Sequence, residues 1–237
     1  RSLPQGAPKE RNLPEPAQTG PAVALVHKPG QVQSQVTLVL RSVPRTHPDF
    51  WKLSLLVQLF GGGDSLLYTR LRENLGLVYA TFFIQSYKWK AGTLIGYIGA
   101  RGDKTSHALE ETVRIMNSLH REIPARELEQ KRMDVLNSFV FNVDTPHELV
   151  EAYGRYHMRG EPPDTLERIQ DAYIHVTQDE LASLSREFLD PAGLQVVVVG
   201  DKTTTVKTDD GKEISLEEDL KALSKKLGLP FTEIPLR

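Results

Sequence analysis

The order of apolar periods along the chain limits its fold more than any other feature. Runs rich in β-branched residues at AVALVHK (22–28) and QSQVTLVLRSV (33–43), with Pro29-Gly30 between them, predict two strands. In DFWKLSLLVQLF (49–60), Leu53, Leu56, Val57 and Phe60 recur at helical spacing, and Gly61-Gly62-Gly63 ends the helix. A second helix is expected over 64–74, with Asp64 as its N-cap and Gly76 as its stop. LVYATFFIQSYKW (77–89) and GTLIGYIGAR (92–101) then read as a long hairpin.

Helical patterns fill the next ninety or so residues, at 103–121, 125–142, 146–159, 164–174 and 178–189. The last three begin with capping pairs: Thr145 and Glu148, Asp164 and Glu167, Thr177 and Glu180. LQVVVVG (194–200) is almost continuously apolar, which predicts a central strand buried on both faces. A small hairpin over 206–214 and a helix capped by Ser215 and Glu218, ending at Gly228, close the chain. Paired strands followed by a block of helices predict an α+β fold, a mainly antiparallel mixed sheet with helices packed on one face.

Residues 1–20 carry Pro4, Pro8, Pro14 and Pro16 and almost nothing apolar, so burial cannot offset their ordering entropy and a Pro-rich linker is expected. The domain is expected over 21–202, with 203–237 as a hairpin-plus-helix extension of it. The first residues, Arg1-Ser2, suit a fragment or processed product. No apolar run reaches the roughly 20 residues that a membrane helix needs.

Charge and composition exclude several kinds of chemistry. A net charge of -2 lacks the basic footprint that binding a phosphate backbone demands, so no nucleic-acid partner is expected. With Cys at 0, disulfides, thiol catalysis and Cys-ligated metals are out of reach. Seven histidines remain as metal ligands, yet neither His-Glu-x-x-His nor its inversion occurs. The nearest approaches, at His107 to Glu111 and His147 to Glu151, each lack the second imidazole. Thr145, Pro146 and Glu148 fit a helix start better than a metal site. No Gly-x-Ser-x-Gly elbow is present. The triple glycine follows a helix and lacks Lys-Ser/Thr, which suits a helix–helix hinge at positive φ better than a phosphate loop; the next helix N-terminus offers at most weak anion docking there. The aromatic stripe Tyr79, Phe82, Phe83, Tyr87 and Trp89 fits sheet core and cross-strand pairs.

The stretch GGGDSLLYTRLRENLGLVYA (61–80) resembles the signature of the C-terminal, non-zinc-binding domain of the pitrilysin family, the inverzincin metallopeptidases that include the mitochondrial processing peptidase. The shared parts are the glycine turn, the cap Asp64-Ser65, the helix end Arg72-Glu73, and Gly76-Leu77-Val78-Tyr79 opening a strand. The chain has Ser65-Leu66-Leu67 where the family's helix often opens Ser-Arg-Leu. Further likeness lies at Pro48-Asp49-Phe50-Trp51, Phe188-Leu189-Asp190-Pro191 and VVVVGD (196–201), so the resemblance runs over roughly 21–202.

The resemblance implies one half of a clamshell peptidase whose other half holds zinc through His-x-x-Glu-His and a downstream Glu. It assigns Arg72 and Tyr79 as the donors this half offers to the peptide carbonyl and to the oxyanion that follows. No zinc is expected in this chain; it is expected in a zinc-bearing half, in the same parent chain or a separate subunit. Peptide substrates and self-association in isolation are implied as well, and relatives exported from bacteria favour a periplasmic or otherwise exported location. The alternative is a non-catalytic scaffold or core subunit of a larger assembly, in which the fold is kept and the chemistry is absent. A third reading, an independent metal enzyme built on His147, Glu148 and Glu151, requires ligands that the sequence does not supply.

Overall fold

The computed structural model describes residues 20–235 except Trp89, Asn142 and Asp209. The linker expected at the N-terminus therefore lies, up to residue 19, outside the described residues, as does Trp89 of the aromatic stripe. Strands β1 (Ala22–His27) and β2 (Gln33–Ser42) lead to helix α1 (Phe50–Gly61). A single turn, α2 (Leu66–Tyr68), passes into a π-helical stretch, Thr69–Asn74, before strands β3 (Val78–Tyr87) and β4 (Gly92–Arg101). Five helices follow: α3 (Thr105–Leu119), α4 (Ala125–Val140), α5 (Pro146–Met158), α6 (Thr165–His175) and α7 (Gln178–Phe188). Strand β5 (Gln195–Gly200), the hairpin of β6 (Thr205–Lys207) and β7 (Glu213–Ser215), α8 (Leu216–Leu227) and β8 (Phe231–Ile234) complete the chain.

The main sheet runs β3-β4-β2-β5-β1-β8. The β3–β4, β4–β2 and β2–β5 pairs are antiparallel, and β1 is parallel to both β5 and β8. This is the mainly antiparallel mixed sheet that the strand and helix order predicts. The side chains of Val36, Leu38, Leu40, Leu94, Ile98, Val196 and Val198 alternate onto the helix-covered face and are buried. Their alternates form an open face: Thr37, Tyr97 and Val197 lie in one row, flanked by Phe82. No helix among the described residues is long and apolar enough to cross a membrane.

Several local expectations are corrected. β5 is central, but only its Val196 and Val198 side is fully buried; Val197 and Val199 face the open side and are partly exposed. A four-valine run is compatible with either arrangement, because apolarity alone does not count covered faces. Gly61, Gly62 and Gly63 are not at positive φ. Gly61 is required by close approach, since a Cβ there would stand 2.5 Å from the Phe83 Cβ. The positive φ falls on Asp64, at 46°, and the cap of α2 is Ser65, whose hydroxyl accepts from the Tyr68 N–H. Capping boxes form at Thr145, Thr177 and Ser215 but not at Asp164, whose carboxylate instead accepts from Arg168 at 2.8 Å. β8 is an added strand that the sequence pattern did not indicate.

One end of the sheet is fastened to the helical layer by a cation. Arg45 lies 4.2 Å from the Trp51 ring centroid and 5.2 Å from that of Tyr87, and its Nε donates to Glu161 at 2.7 Å. Both partners are largely buried, with 12% and 6% of their side chains exposed. Burial in the same group raises the pKa of Tyr156 above the usual tyrosine value.

Candidate functional site

The segment carrying Arg72 and Tyr79 is shaped by three backbone devices in succession. The π-helical stretch Thr69–Asn74 widens the helix end, a form that often marks functional positions. Gly76 then takes φ +60°, a left-handed conformation that lets the chain reverse without a Cβ clash. Finally, Val78 pairs with Ala100 while Ala80 pairs with Gly99, which leaves Tyr79 as the extra residue of a β-bulge. A bulge bends its strand and re-aims the side chain there. The Tyr79 side chain is accordingly exposed, at 50%, although its neighbours Leu77 and Val78 are buried.

Arg72 is exposed, and its Nη1 donates to the Val78 carbonyl at 2.8 Å. The guanidinium thus holds the peptide unit that joins Val78 to Tyr79. The structure brings the cation to the main chain beside the phenol; among the described residues no hydrogen bond reaches the Tyr79 hydroxyl, from Arg72 or from any other group. Arg70, two residues before Arg72, donates to Glu111 at 2.8 Å, a carboxylate that Arg114 also meets at 3.1 Å. Glu111 is nearly buried, so this pair ties the π-helical stretch to α3.

Sequence reasoning did not single out Arg101, the last residue of β4, which follows the Ala100 that stands at the bulge. Two hydrogen bonds to Asp103, at 2.6 and 2.5 Å, hold its pKa above the ordinary arginine value and that of Asp103 below the usual carboxylate range. Counting the hairpin register back from Tyr87 and Gly92 sets Ala100 opposite Tyr79 and Arg101 opposite Val78, and the bulge shifts that register by one residue. Beyond Tyr79, the open face continues through Phe82 stacked on Tyr97, with ring centroids 5.4 Å apart, and through Ile84 opposite Ile95. The rest of the aromatic stripe divides: Phe83 is buried against Phe60, and Tyr87 packs on Phe50.

The chain's own residues do not fit a zinc site. Among the described residues no three His, Asp or Glu side chains form a group that could hold a metal ion. His147 lies 3.3 Å from Glu151 on an exposed face of α5, while Glu148 is turned back onto Thr145. Hydrogen bonds from the Thr145 hydroxyl and then its N–H lower the Glu148 pKa, as a capping carboxylate requires. His107 is exposed on α3.

No curated protein matches the chain. Among solved structures it is similar to the peptidase M16 inactive domain from Pseudomonas fluorescens, with a TM-score of 0.76 and 18% identity over 85% of this chain and 48% of that one. A protease from Helicobacter pylori matches with a TM-score of 0.70 and 21% identity, over 81% of this chain and 48% of the other. The periplasmic protease PqqL from Escherichia coli matches with a TM-score of 0.63 and 16% identity, over 78% of this chain and 21% of the other. The chain therefore spans about half the length of the first two and a fifth of the third. At these identities the likeness establishes the fold. The family model described as the peptidase M16 inactive domain matches residues 1–134, more than half of the 237, and the chain belongs to that family.

Proposed function

We propose that the chain is the substrate-binding, transition-state-assisting half of a zinc endopeptidase, with the hydrolytic metal held by a partner half. The observation that carries this reading is the fastening of Arg72 to the Val78 carbonyl, beside an exposed phenol on the open face. A guanidinium and a phenol O–H are donors suited to a peptide carbonyl and to the oxyanion formed when it is attacked. A scaffold has no need of an unpartnered phenol raised on a bulge.

The open face supports the same reading. Phe82, Ile84, Tyr97 and Val197 leave a largely apolar wall with no helix over it among the described residues, as a chamber closed by a second half requires. In isolation this wall favours self-association. An exported location, as for the periplasmic neighbour, suits a chain without thiols.

The test is reconstitution. The chain is mixed with its zinc-bearing half, and cleavage of an extended reporter peptide is followed. Neither component should cleave alone and the mixture should; in the mixture, Arg72→Ala and Tyr79→Phe should lower kcat. Turnover unchanged by both substitutions would remove their assigned role, and a partner half without His-x-x-Glu-His would favour the scaffold.

A further inference from the structure

Arg72 closes a run of three residues that are each fixed to a different part of the fold. The Arg70 Nε donates to Glu111 on α3 at 2.8 Å. Leu71 is fully buried in the core. Arg72 itself donates to the Val78 carbonyl on β3 at 2.8 Å. The carbonyls of Arg70 and Leu71 in turn accept from the Leu75 and Leu77 N–H groups, at 3.2 and 2.8 Å, which closes the π-helical stretch and leads it into the strand.

Packing alone does not hold this stretch. A cleft of about 1130 Å³ opens beside it, lined by Thr69, Arg70 and Asn74 together with Ile115 of α3 and Lys131 of α4. Two largely buried charges of the helical layer fasten the segment there. Lys131 donates to the Gly63 carbonyl at 2.7 Å, and Glu111, 2% exposed, takes Arg70. A buried carboxylate is costly unless it is paired and hydrogen-bonded. Glu111 has two guanidinium partners, Arg70 at 2.8 Å and Arg114 at 3.1 Å, and only Arg70 belongs to the π-helical stretch. Were that stretch to relax to α-helix by one residue, the side chains beyond the change would turn by about 100° around the axis.

We infer that Glu111 is a positioning residue: through Arg70 it keeps the stretch in the register that presents the Arg72 guanidinium to the reacting carbonyl. This rests on the reading of Arg72 as a donor in the peptidase. Arg114 helps to neutralise the same carboxylate but stands on α3 itself. It therefore shares in keeping Glu111 buried and not in the hold on the stretch, which separates a structural duty of Glu111 from the positioning one.

The experiment compares Arg70→Ala, Arg114→Ala and Glu111→Ala in the reconstituted peptidase, with Glu111→Gln as the conservative variant. The side chains of Arg70 and Arg114 are 40% and 63% exposed, and either single variant leaves Glu111 one partner, so both should fold. Should Glu111→Ala fail to fold, Arg70→Ala carries the comparison. Arg70→Ala should lower kcat about tenfold with KM changed less than about twofold, as displacement of a transition-state donor requires. Glu111→Ala should match it, and the two together should lose no more than either alone. Glu111→Gln should recover part of the loss, because its amide oxygen still accepts from Arg70. Arg114→Ala should leave kcat unchanged, and Arg70→Ala should lose nothing further once Arg72→Ala is in place. A purely structural Glu111 would make Arg114→Ala as harmful as Arg70→Ala; that result, or a full second loss on top of Arg72→Ala, would overturn the inference.

A second readout needs no zinc half. In the chain alone, the Leu75 and Leu77 amides should exchange hydrogen faster in Arg70→Ala than in Arg114→Ala, and equal rates would also overturn the inference. Intact turnover in Arg70→Ala beside a damaged Arg72→Ala would discard the positioning and keep the proposed function. Faster exchange at Leu75 and Leu77 with turnover indifferent to Arg72 would keep the clamp and discard the donor role.

Discussion

Gly61 and Phe83 meet so closely that a Cβ on the glycine would lie 2.5 Å from the Phe83 Cβ and 2.9 Å from its backbone nitrogen. The last turn of α1 is thereby pressed against β3, and the neighbouring backbone is what would have to move. Gly61→Ala should destabilise the fold by about 1–3 kcal/mol, the usual range for overpacking a filled site. Gly63→Ala, which meets nothing within 4 Å, should fall within about 0.5 kcal/mol of the parent. Urea unfolding of the two variants checks this pair, and equal midpoints would deny the contact its structural role.

That contact also shows where sequence reasoning stops. Helices and strands were legible because their apolar periods are local, and the Ser/Thr-x-x-Glu caps at Thr145, Thr177 and Ser215 formed as read. Asp164 failed as a box because Arg168, one turn on, takes its carboxylate. β8 exists through its pairing with β1, more than two hundred residues away in sequence, and nothing in FTEI itself announces a strand. For the site, the spacing of Arg72 and Tyr79 was visible. The π-helical stretch and the bulge that decide what those side chains touch are tertiary outcomes.

Glu180 gives stability a dependence on pH. Its pKa is lowered from the usual 4.5 to about 2, first by the hydrogen bond from Lys52 and then by that from the Thr177 N–H. A carboxyl depressed in the folded state stabilises above its unfolded pKa, and that contribution is lost as pH falls from 4.5 toward 2. The side chain is 42% exposed, so solvent screening limits the effect to about 1 kcal/mol. Glu180→Gln should lower Tm at pH 7 and converge with the parent near pH 2. A constant gap across that range would assign the difference to something other than ionisation.

The Arg45–Glu161 pair should behave as a buried ion pair. Removing Arg45 leaves the buried Glu161 with only the more distant Arg159, at 3.8 Å, so Arg45→Ala should cost about 3 kcal/mol, the low end for a broken buried pair. Arg45→Lys keeps the charge but loses the planar stacking on Trp51 and Tyr87, and should recover only part of that loss. Arg45→Met combined with Glu161→Gln should be more stable than Arg45→Ala alone, because the double variant buries no carboxylate that has lost its 2.7 Å partner. Denaturant midpoints for the three variants give the ordering, and a double variant weaker than the single one would contradict it.

The sharpest test of the site is whether Arg72 and Tyr79 act as a unit. In the reconstituted peptidase each donor lost should cost about 3 kcal/mol of transition-state stabilisation, on the order of a hundredfold in kcat. Arg72 also holds the Val78 carbonyl, so its removal loosens the bulge that aims Tyr79. Once that aim is lost, deleting the phenol O–H matters less. Arg72→Ala with Tyr79→Phe should therefore reduce kcat by less than the product of the single effects, with a coupling of about 0.5–3 kcal/mol. Gln at position 72 separates the two duties, since an amide can reach a carbonyl as donor but brings no charge. If Arg72→Gln retains the coupling while losing turnover, the guanidinium serves the reacting carbonyl as well as the strand. Strict additivity in both cycles would mean that the two side chains serve the reaction from independent positions.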